Sequence, residues 1–557
     1  MNSKDYLLKR YLPRIEFDSY EDFKQNYSVN VPHNFNFAYD IIDEWGKNFP
    51  NKEALYWTDD GGIDKILTFT DLTKLSNQAA NIFLSLGIKK GDTVMLILKQ
   101  RIEVWVCMLA LHKIGAVVIP ATFQLTPKDI VYRCNNANVK AICVVDEEEI
   151  LQNTEIARPE CRTLDQVLVV GDKVPSNCLN LRLMMRNASE KLERISTTID
   201  DPMLLYFSSG TTGMPKMVLH NFDYPLGHII TAKYWHKVED GGRHLTVSDS
   251  GWAKFAWGKI YGQWICGAVI VAYDTEKFVP ANMLATIHRL RLTTFCAPPT
   301  IYRFLIKEDL SGCDFTTIHH CTIAGEPLNA EVYHKFYQLT GLRVTEGFGQ
   351  TETPVIVGNY EWFPIKPGSM GKPSPLFDLD IVDENGQTCE DGVVGSIVVR
   401  NVDQYHPVGL FRCYVDDPEA MSHSFKNGWY DTGDTAWRDS EGYLWFEGRS
   451  DDIIKCSGYR IGPFEVESAL MTHPSVLECA ITAVPDPIRG QVVKATIVLA
   501  KGYTPSDALK KELQNHVKHT TAPYKYPRVV AFVDKLPKTT SGKISRKELR
   551  KQDERKA

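Results

Sequence analysis

The sequence lacks the patterns that would assign it to several common classes of protein. No C-x-x-C pair occurs among its 13 cysteines, so neither a zinc site nor a disulfide framework is expected. The most apolar region, 104–111, ends at His112 and Lys113, far short of the roughly 18 apolar residues of a membrane span. Residues 1–6 carry no apolar stretch of the kind found in signal peptides. These absences favour a protein of the reducing cytoplasm with no integral membrane segment.

An excess of positive charge is also missing. The net charge is −6 and the pI is about 6.2, so nothing favours nucleic acid or anionic membrane as a partner. Of the 557 residues, 43% are hydrophobic and 24% are charged, which is ordinary for a globular protein. A chain of this length exceeds one compact core, so two or more domains are expected.

Segments of helical period alternate with short apolar runs through most of the chain. This alternation is typical of α/β layers built on parallel strands. The predicted elements early in the chain are a helix over 76–86, a strand over 93–98, a helix over 101–112 and a strand over 116–120.

The last hundred residues have a different pattern, in which strands and helices mix in a smaller α+β unit. The predicted elements there are helices over 463–471 and 506–519 and strands over 478–484, 494–499 and 529–533. A charged stretch with a glycine, 448–452, precedes this unit and is the candidate linker. The sequence therefore predicts a large N-terminal multi-layer α/β domain (1–449), a hinge (450–452) and a small mobile C-terminal α+β domain (453–557).

A cluster of hydroxyls and glycines follows an apolar strand at 203–207 and ends in a lysine. Glycines let backbone N–H groups approach a phosphate, hydroxyls donate further hydrogen bonds, and lysine adds a positive charge. The spacing differs from G-x-x-x-x-G-K-[ST], and Met217 follows the lysine. Taken alone, the cluster is also compatible with a flexible surface turn. Its polar members are Ser208, Ser209, Gly210, Thr211, Thr212, Gly213 and Lys216.

This loop resembles the phosphate loop of the adenylate-forming superfamily, which includes acyl-CoA synthetases, luciferases and peptide-synthetase adenylation domains. That family often has glycine at the position of Met217, a small departure. The family's other motifs follow in order, and the resemblance runs from about Phe35 onward. It implies ATP as a substrate and Thr211 as a catalytic residue of the loop.

Two further segments resemble the family's nucleotide site. In 346–352 the resemblance implies that Phe348 stacks on adenine, that Thr351 contacts phosphate, and that Glu352 is catalytic and holds Mg²⁺, since a hard carboxylate suits this ion. The remaining residues assigned to nucleotide binding in these segments are Gly325, Glu326, Pro327, Glu346, Gly347 and Gln350.

The ribose motif and the catalytic lysine complete the pattern. In 428–434 the resemblance implies that Asp434 accepts hydrogen bonds from both ribose hydroxyls, and Arg449 would reach the same sugar. Near the end, Lys543 follows Gly542 as the family's lysine does and would bridge the carboxylate and the α-phosphate. An ammonium group suits two anions that must approach each other.

The chain ends shortly after Lys543, and segments 455–467 and 522–527 look like medium-chain acyl-CoA synthetases. The resemblance implies CoA as the acyl acceptor and a rotation of the small domain between two half-reactions, with Asp451 as the pivot. Gly458 would let pantetheine pass, and Arg460 is assigned to the same cofactor side. No base for the CoA thiol is assigned.

The expected reaction is formation of an acyl-adenylate from a carboxylic acid and ATP, followed by transfer of the acyl group to CoA. Relatives restricted to acetate carry a tryptophan where this chain has Gly349, so a medium-chain or branched short-chain acid is expected, with an aromatic acid such as benzoate as the alternative. The oligomeric state stays open, with a homodimer as one candidate. The residues assigned to the acyl pocket are Trp252, Ala253, Lys254, Trp257, Ala324 and Gly349.

Other functions remain possible at this point. One is a ligase that passes its acyl group to a separate carrier protein, and another is an enzyme that oxidises the adenylate as luciferase does. A third is a scaffold that binds nucleotide without catalysis. The presence of Lys543, Glu352, Asp434 and Arg449 argues against the scaffold.

Overall fold

The large domain contains two extended sheets, seen in a computed structural model that describes residues 3–208, 215–310, 312–326, 328, 330–456, 459–487, 489–539 and 543–555. Within these residues, the first sheet has eight strands that are mostly parallel, with two antiparallel pairings at one end. In spatial order they are Cys413–Tyr414, Lys216–Asn221, Pro202–Ser208, Val117–Pro120, Thr93–Ile97, Val139–Val145, Gln166–Val170 and Leu179–Asn180.

The second sheet has nine strands in the described residues and is parallel at its centre. The strands Pro202–Ser208 and Val344–Phe348 run directly into the motifs predicted to bind nucleotide. Ligands of α/β sheets commonly bind outside the carboxyl ends of strands. In spatial order the nine are Lys372–Pro373, Val357–Gly358, Val344–Phe348, His320–Ile323, Thr294–Cys296, Arg243–Thr246, Val269–Asp274, Glu53–Asp59 and Asp64–Thr68.

A third, antiparallel sheet closes the large domain and carries the ribose motif. Its strand Trp429–Arg438 pairs with Leu444–Arg449, and in this register Asp434 lies opposite Arg449. The two predicted ribose residues therefore come together because a hairpin joins their strands. The other described strands of this sheet are Leu379–Val382, Gly395–Val399 and Phe425–Lys426.

The small domain has its own sheet and its own hydrophobic core. Its described strands are Ile454–Cys456, Tyr459–Ile461, Val476–Asp486, Gly490–Leu499 and Val529–Phe532. Three α-helices accompany them in the described residues: Pro463–Met471, Asp507–Thr520 and Arg546–Glu554. The predicted fold class, a large α/β domain followed by a small α+β domain, is confirmed, whereas the exact domain limits stay predictions.

Helices of the large domain begin and end where local chemistry favours it. The helix Phe69–Ser85 begins with a capping box formed by Thr68 and Asp71, and Glu103–Ile114 ends at Gly115, whose φ is +72°. The other described α-helices of this domain are Leu8–Tyr11, Tyr20–Asn26, Glu44–Asn48, Pro127–Asn136, Glu148–Ala157, Leu181–Arg186, Tyr224–Ile229, Ala253–Gly258, Tyr261–Ile265, Pro280–Arg289, Pro299–Leu305, Ala330–Thr340 and Pro418–Ser424.

Four short turns of other helix types complete the described elements. Ala38–Asp43 and Ile230–Trp235 are π-helices, and Arg158–Glu160 and Pro523–Lys525 are 3₁₀-helices. Among the helices that the structure describes, none is both long enough and apolar enough to cross a bilayer.

Candidate active site

The phosphate-loop lysine and the predicted magnesium ligand meet at one tyrosine. Ser208 and Lys216 are register partners at the base of the loop, and the Lys216 Nζ lies 4.7 Å from the ring centroid of Tyr414. The Tyr414 hydroxyl donates to Glu352 Oε1 at 2.8 Å. Burial and the nearby charge of Glu352 raise the pKa of Tyr414, so its hydroxyl stays protonated and able to donate. Residues Ser209, Gly210, Thr211, Thr212 and Gly213 lie outside the described part of the chain.

Glu352 suits a magnesium ion. Its side chain is buried, and the hydrogen bond from Tyr414 fixes one carboxylate oxygen. The other oxygen receives no hydrogen bond from the residues described, so it can face a cation. A single carboxylate together with phosphate oxygens is the donor set that Mg²⁺ usually takes in nucleotide sites.

Asp434 is held in place by a chain of side-chain hydrogen bonds. The Gln350 amide donates to Asp434 Oδ2 and, at 2.8 Å, to the carbonyl of Thr432. The Tyr430 hydroxyl donates to Gln350 Oε1 at 2.7 Å. Gln350, which the sequence assigned to nucleotide binding, therefore contacts Asp434 in this structure. These contacts fix the orientation of the Asp434 carboxylate.

Arg449 lies beside Asp434 and completes the ribose pair. Its Nε is 3.8 Å from Asp434 Oδ1 and has no hydrogen-bond partner in the described residues. Burial raises the pKa of Asp434 to about 6, although the positive charges of Arg449 and Lys543 oppose this rise. A buried acceptor beside an arginine with an unused donor can take two hydroxyls of one sugar.

Glu346 and Gly347 are structural neighbours of the site. The Glu346 carboxyl accepts a hydrogen bond from the Leu328 N–H at 3.2 Å, and burial raises its pKa to about 8. A Cβ at Gly347 would lie 2.4 Å from the Trp235 ring, so glycine is required for packing. Direct contact of either residue with nucleotide stays a prediction.

Three residues predicted for the adenine side can be placed in the structure. Phe348 is partly buried, with its ring centroid 6.2 Å from that of Phe446. Gly325 has a φ of +104° and open space where a side chain would point. Glu326 pairs with Arg303 at 3.8 Å, and Pro327 lies outside the described residues.

The predicted acyl-pocket residues Lys254 and Ala324 are in contact. The Lys254 Nζ donates to the Ala324 carbonyl at 3.0 Å, and the helix Ala253–Gly258 begins directly after Trp252. Burial lowers the pKa of Lys254, and the charge of Lys543 acts in the same direction.

Trp257 forms the wall of this region next to Gly349. Its indole N–H donates to the Thr353 carbonyl at 3.2 Å. A Cβ at Gly349 would lie 2.5 Å from Trp257 Cη2. The sequence interpretation took the missing side chain at Gly349 as open space, and that interpretation is wrong: Trp257 fills the space.

Lys543 reaches the site from the small domain. It is exposed, and the Thr539 N–H donates to its carbonyl at 2.7 Å. Its positive charge opposes the rise that burial causes in the pKa of Asp434 and adds to the lowering of the pKa of Lys254. Direct contact of Lys543 with the adenylate stays a prediction.

Two predicted residues on the CoA side cannot be placed. Gly458 and the side chain of Arg460 lie outside what the structure describes. The predicted pivot Asp451 is exposed and pairs with Arg449 Nε at 3.7 Å.

Three residues that shape the site were missed by the sequence interpretation. Tyr414 and Tyr430 orient Glu352 and Gln350, and the His220 Nε2–H donates to the Thr351 carbonyl at 2.8 Å. Tyr430 stands inside the 428–434 motif, so the motif itself was a usable signal. Tyr414 and His220 offered none, because their partners are 62 and 131 positions away in the chain.

Comparison with known proteins gives a consistent picture. Residues 42–415 match the family described as AMP-binding enzyme, and residues 465–543 match the AMP-binding enzyme C-terminal domain. The chain is similar to the acyl-coenzyme A synthetase ACSM3, mitochondrial, of Mus musculus, with 43% identity over 547 residues that cover 96% of this chain and 94% of that protein.

Two solved structures are similar over almost the whole chain. The anthranilate CoA ligase AuaEII, in complex with anthranoyl-AMP, has a TM-score of 0.86 and 30% identity, covering 94% of this chain and 98% of its own. The benzoate CoA ligase from Burkholderia xenovorans LB400 has a TM-score of 0.82 and 26% identity, covering 93% of this chain and 100% of its own.

The expectation of a cytoplasmic protein is wrong. Relatives from mouse, rat and human that match over almost the whole chain are named as mitochondrial. That expectation rested on the cysteine pattern and on the absence of an apolar stretch in residues 1–6, and neither feature distinguishes the cytoplasm from the mitochondrion.

Proposed function

Because this chain belongs to the family of AMP-binding enzymes and is an ATP-dependent acyl-CoA synthetase, we propose that Lys543 is the group that brings the acid and the α-phosphate together. The observation that carries this proposal is the position of Lys543: it lies within the small domain that matches the AMP-binding enzyme C-terminal domain, and its side chain is exposed. The effect of its charge on the pKa values of Asp434 and Lys254 supports the proposal.

Formation of the adenylate requires two anions to meet. The substrate carboxylate is already ionised at neutral pH, so no general base is needed. The Lys543 ammonium offsets the repulsion, while Lys216 and the 208–216 loop bind the phosphates. Tyr414 keeps Glu352 oriented, and Gln350 keeps Asp434 oriented toward the ribose. Magnesium held by Glu352 would supply further neutralisation of the departing pyrophosphate.

Transfer to CoA requires the site to change. We propose that the small domain rotates about Asp451, which removes Lys543 from the adenylate and brings the strand near Gly458 to the same place. Such an exchange lets one site serve two steps with different charge requirements, since the second step no longer needs a cation between two anions.

The acid is proposed to be a medium-chain or branched short-chain carboxylic acid, used in fatty acid metabolism. Trp257 packs over Gly349 and limits the depth of the region, while Lys254 bonds the carbonyl of Ala324 at its side. A bounded apolar region favours a few methylene groups, each worth about 0.8 kcal/mol, over a long chain. In line with the names of the relatives, we also propose a mitochondrial location, which organelle fractionation of the full chain would test.

An aromatic acid is the second candidate. It is favoured by the likeness to the anthranilate and benzoate CoA ligases and by the flat indole of Trp257, against which an aromatic ring can pack.

Pyrophosphate release tests these proposals. It should be measured with short, branched, medium, long and aromatic acids, with and without CoA. The proposal expects release with medium or branched acids and a CoA-dependent acyl-CoA product. A clear preference for benzoate would select the second candidate, and a preference for acetate would contradict both.

A further inference from the structure

Two adjacent carboxylates at the predicted hinge pair with opposite domains. Asp451 lies 3.7 Å from Arg449 of the large domain. Asp452 pairs instead with Arg550 and, at 3.7 Å, with Arg546, both of the last helix. The Asp451 side chain is 37% exposed, whereas that of Asp452 is 10% exposed. The side-chain contacts of the chain therefore change from the large domain at Asp451 to the small domain at Asp452.

Arg546 links Asp452 to the interior of the small domain. Its Nη2 lies 2.7 Å from both carboxylate oxygens of Glu467. Glu467 Oε1 also accepts a hydrogen bond from the Ile481 N–H at 2.8 Å. Charge-assisted bonds of this kind in a buried setting are strong and directional. The Arg546 guanidinium thus joins Asp452 to Glu467 of the helix Pro463–Met471. Glu467 in turn contacts the strand Val476–Asp486.

The last helix of the small domain, which carries Arg546 and Arg550, directly follows the lysine proposed to be catalytic. Lys543 is three residues before Arg546, where the helix Arg546–Glu554 begins. The Ser545 N–H donates to the Pro537 carbonyl at 2.8 Å, so the segment that carries the lysine is tied at its base. Arg546 and Arg550 are four residues apart and therefore lie on one face of the helix, where both reach Asp452.

We propose that Arg550 and Arg546 are positioning residues that act on adenylation through Lys543. These arginines hold the last helix to Asp452, the first residue beyond the pivot, and we call this set of three residues the clamp. Because of the clamp, the segment that carries Lys543 rotates together with residue 452 as one rigid unit. This inference rests on the proposed roles of Lys543 and Asp451. Accurate placement matters because a displacement of about 1 Å can cost on the order of a hundredfold in rate.

The test should spare the buried partner of Arg546. Loss of Arg546 would leave Glu467 buried without its cation, which is strongly destabilising. Arg550→Met and Asp452→Asn avoid this problem because the pair between Arg546 and Glu467 remains. Lys551→Met is the matched control, since Lys551 is exposed on the same helix.

Two half-reactions should be measured separately on the full-length enzyme. Pyrophosphate release in a single turnover reports adenylation, and acyl-CoA formation from supplied acyl-AMP reports the second step. We expect the kcat of adenylation to fall at least about tenfold in Arg550→Met and in Asp452→Asn, on the scale of a misplaced catalytic group. The KM for ATP, the second step and the Lys551→Met control should change less than about twofold, since these depend on residues away from the clamp.

Two further variants make the result decisive. Arg550→Lys keeps the charge and should recover part of the lost rate. The double variant Asp452→Asn/Arg550→Met should fall no further than Asp452→Asn alone, because Asp452 is the partner of Arg550 and its loss already removes that pair. Unchanged adenylation, equal losses in both half-reactions, or losses that add in the double variant would overturn the proposal.

Lys543→Ala, measured alongside, separates this inference from the proposed function. If Lys543→Ala abolishes adenylation while Asp452→Asn and Arg550→Met do not slow it, the clamp alone is refuted. If Lys543→Ala leaves adenylation intact, the catalytic assignment fails, and the clamp fails with it.

Discussion

The indole of Trp257 lies against the bare backbone of Gly349. A Cβ at Gly349 would be 2.5 Å from Trp257 Cη2 and 2.4 Å from the Pro354 carbonyl oxygen, and real Cβ atoms do not approach so closely. Only glycine at position 349 therefore allows the indole of Trp257 to pack there. Trp257 belongs to the helix Ala253–Gly258, and we propose that it limits the depth of the acyl region.

Trp257→Ala should lengthen the preferred acid. Removal of the indole opens space for several methylene groups, and each buried methylene contributes about 0.8 kcal/mol, a factor of about four in binding. The ratio of kcat/KM for decanoate to that for butyrate should rise at least about tenfold, which initial rates across a chain-length series would measure. Trp257→Phe is the control and should shift the ranking much less. An unchanged ranking in Trp257→Ala would remove Trp257 from the pocket.

Gly349→Trp alone is a poor test of the pocket, because the new side chain would collide with Trp257 and the Pro354 backbone. The double variant Gly349→Trp/Trp257→Gly would remove only the collision with Trp257, because a Cβ at position 349 would still lie 2.4 Å from the Pro354 carbonyl oxygen. Substitution of Trp257 alone is therefore the cleaner test.

Lys543→Ala should slow adenylation at least about a hundredfold, the usual scale for loss of one oriented charge-stabilising group. Acyl-CoA formation from supplied acyl-AMP should be largely retained, because that step no longer joins two anions. Rapid-quench measurement of each half-reaction checks both statements. Equal losses in the two steps would contradict the alternation of domains.

Asp451→Pro should also separate the two steps, but here the CoA step should be the one that is lost. Proline fixes φ near −65° and would hold the hinge in one conformation. We expect adenylation to persist and thioester formation from acyl-AMP to collapse. Asp451→Ala, which leaves φ free, is the control. Normal rates of both steps in Asp451→Pro would move the pivot to another residue.

Gly462→Ala should disfavour the conformation seen here. The Gly462 N–H donates to Glu447 Oε1 at 3.0 Å across the two domains, and a Cβ at Gly462 would lie 2.4 Å from the Glu447 carbonyl oxygen. Adenylation should therefore slow while acyl transfer to CoA is spared. Gly312→Ala is the control, since nothing lies within 4 Å of a Cβ there. If adenylation in Gly462→Ala matches wild type, this domain contact does not belong to the adenylating state.

Much of this arrangement follows from local sequence. The helix Pro463–Met471 was predicted with its observed bounds, and the strand Thr93–Ile97 differs from its prediction by one residue. The strand has an apolar run that reports burial directly, and the helix has a proline at its first position, a common helix start. The helix Phe69–Ser85 begins seven residues before its predicted start, because the capping box at Thr68 was not used as a signal.

The unpredicted features depend on partners that are remote in the chain. Asp452 meets Arg550 across 98 positions, and Tyr414 meets Glu352 across 62. No spacing rule relates such residues, since only the packed fold brings them together. The contact of Trp257 with Gly349 is also between residues that are remote in the chain. For that reason the sequence suggested an open space at Gly349, where the structure has the indole ring.

Nucleotide binding should weaken in mild acid because of Asp434. Burial raises its pKa to about 6, whereas an ordinary aspartate titrates near 3.9. Only the ionised form accepts hydrogen bonds from both ribose hydroxyls, so affinity is nearly full at pH 7 and is lost as the pH falls through about 6.

Adenosine is the probe of choice for this effect, because it has no phosphate to titrate in the same range. Its dissociation constant, measured by calorimetry, should rise about tenfold between pH 7 and pH 5, the change expected for one required deprotonation of a group whose pKa is about 6. Asp434→Asn should bind weakly at both pH values without this slope. A wild-type affinity that stays constant down to pH 4.5 would mean that Asp434 does not hold the ribose as a carboxylate, because its raised pKa leaves it largely protonated there.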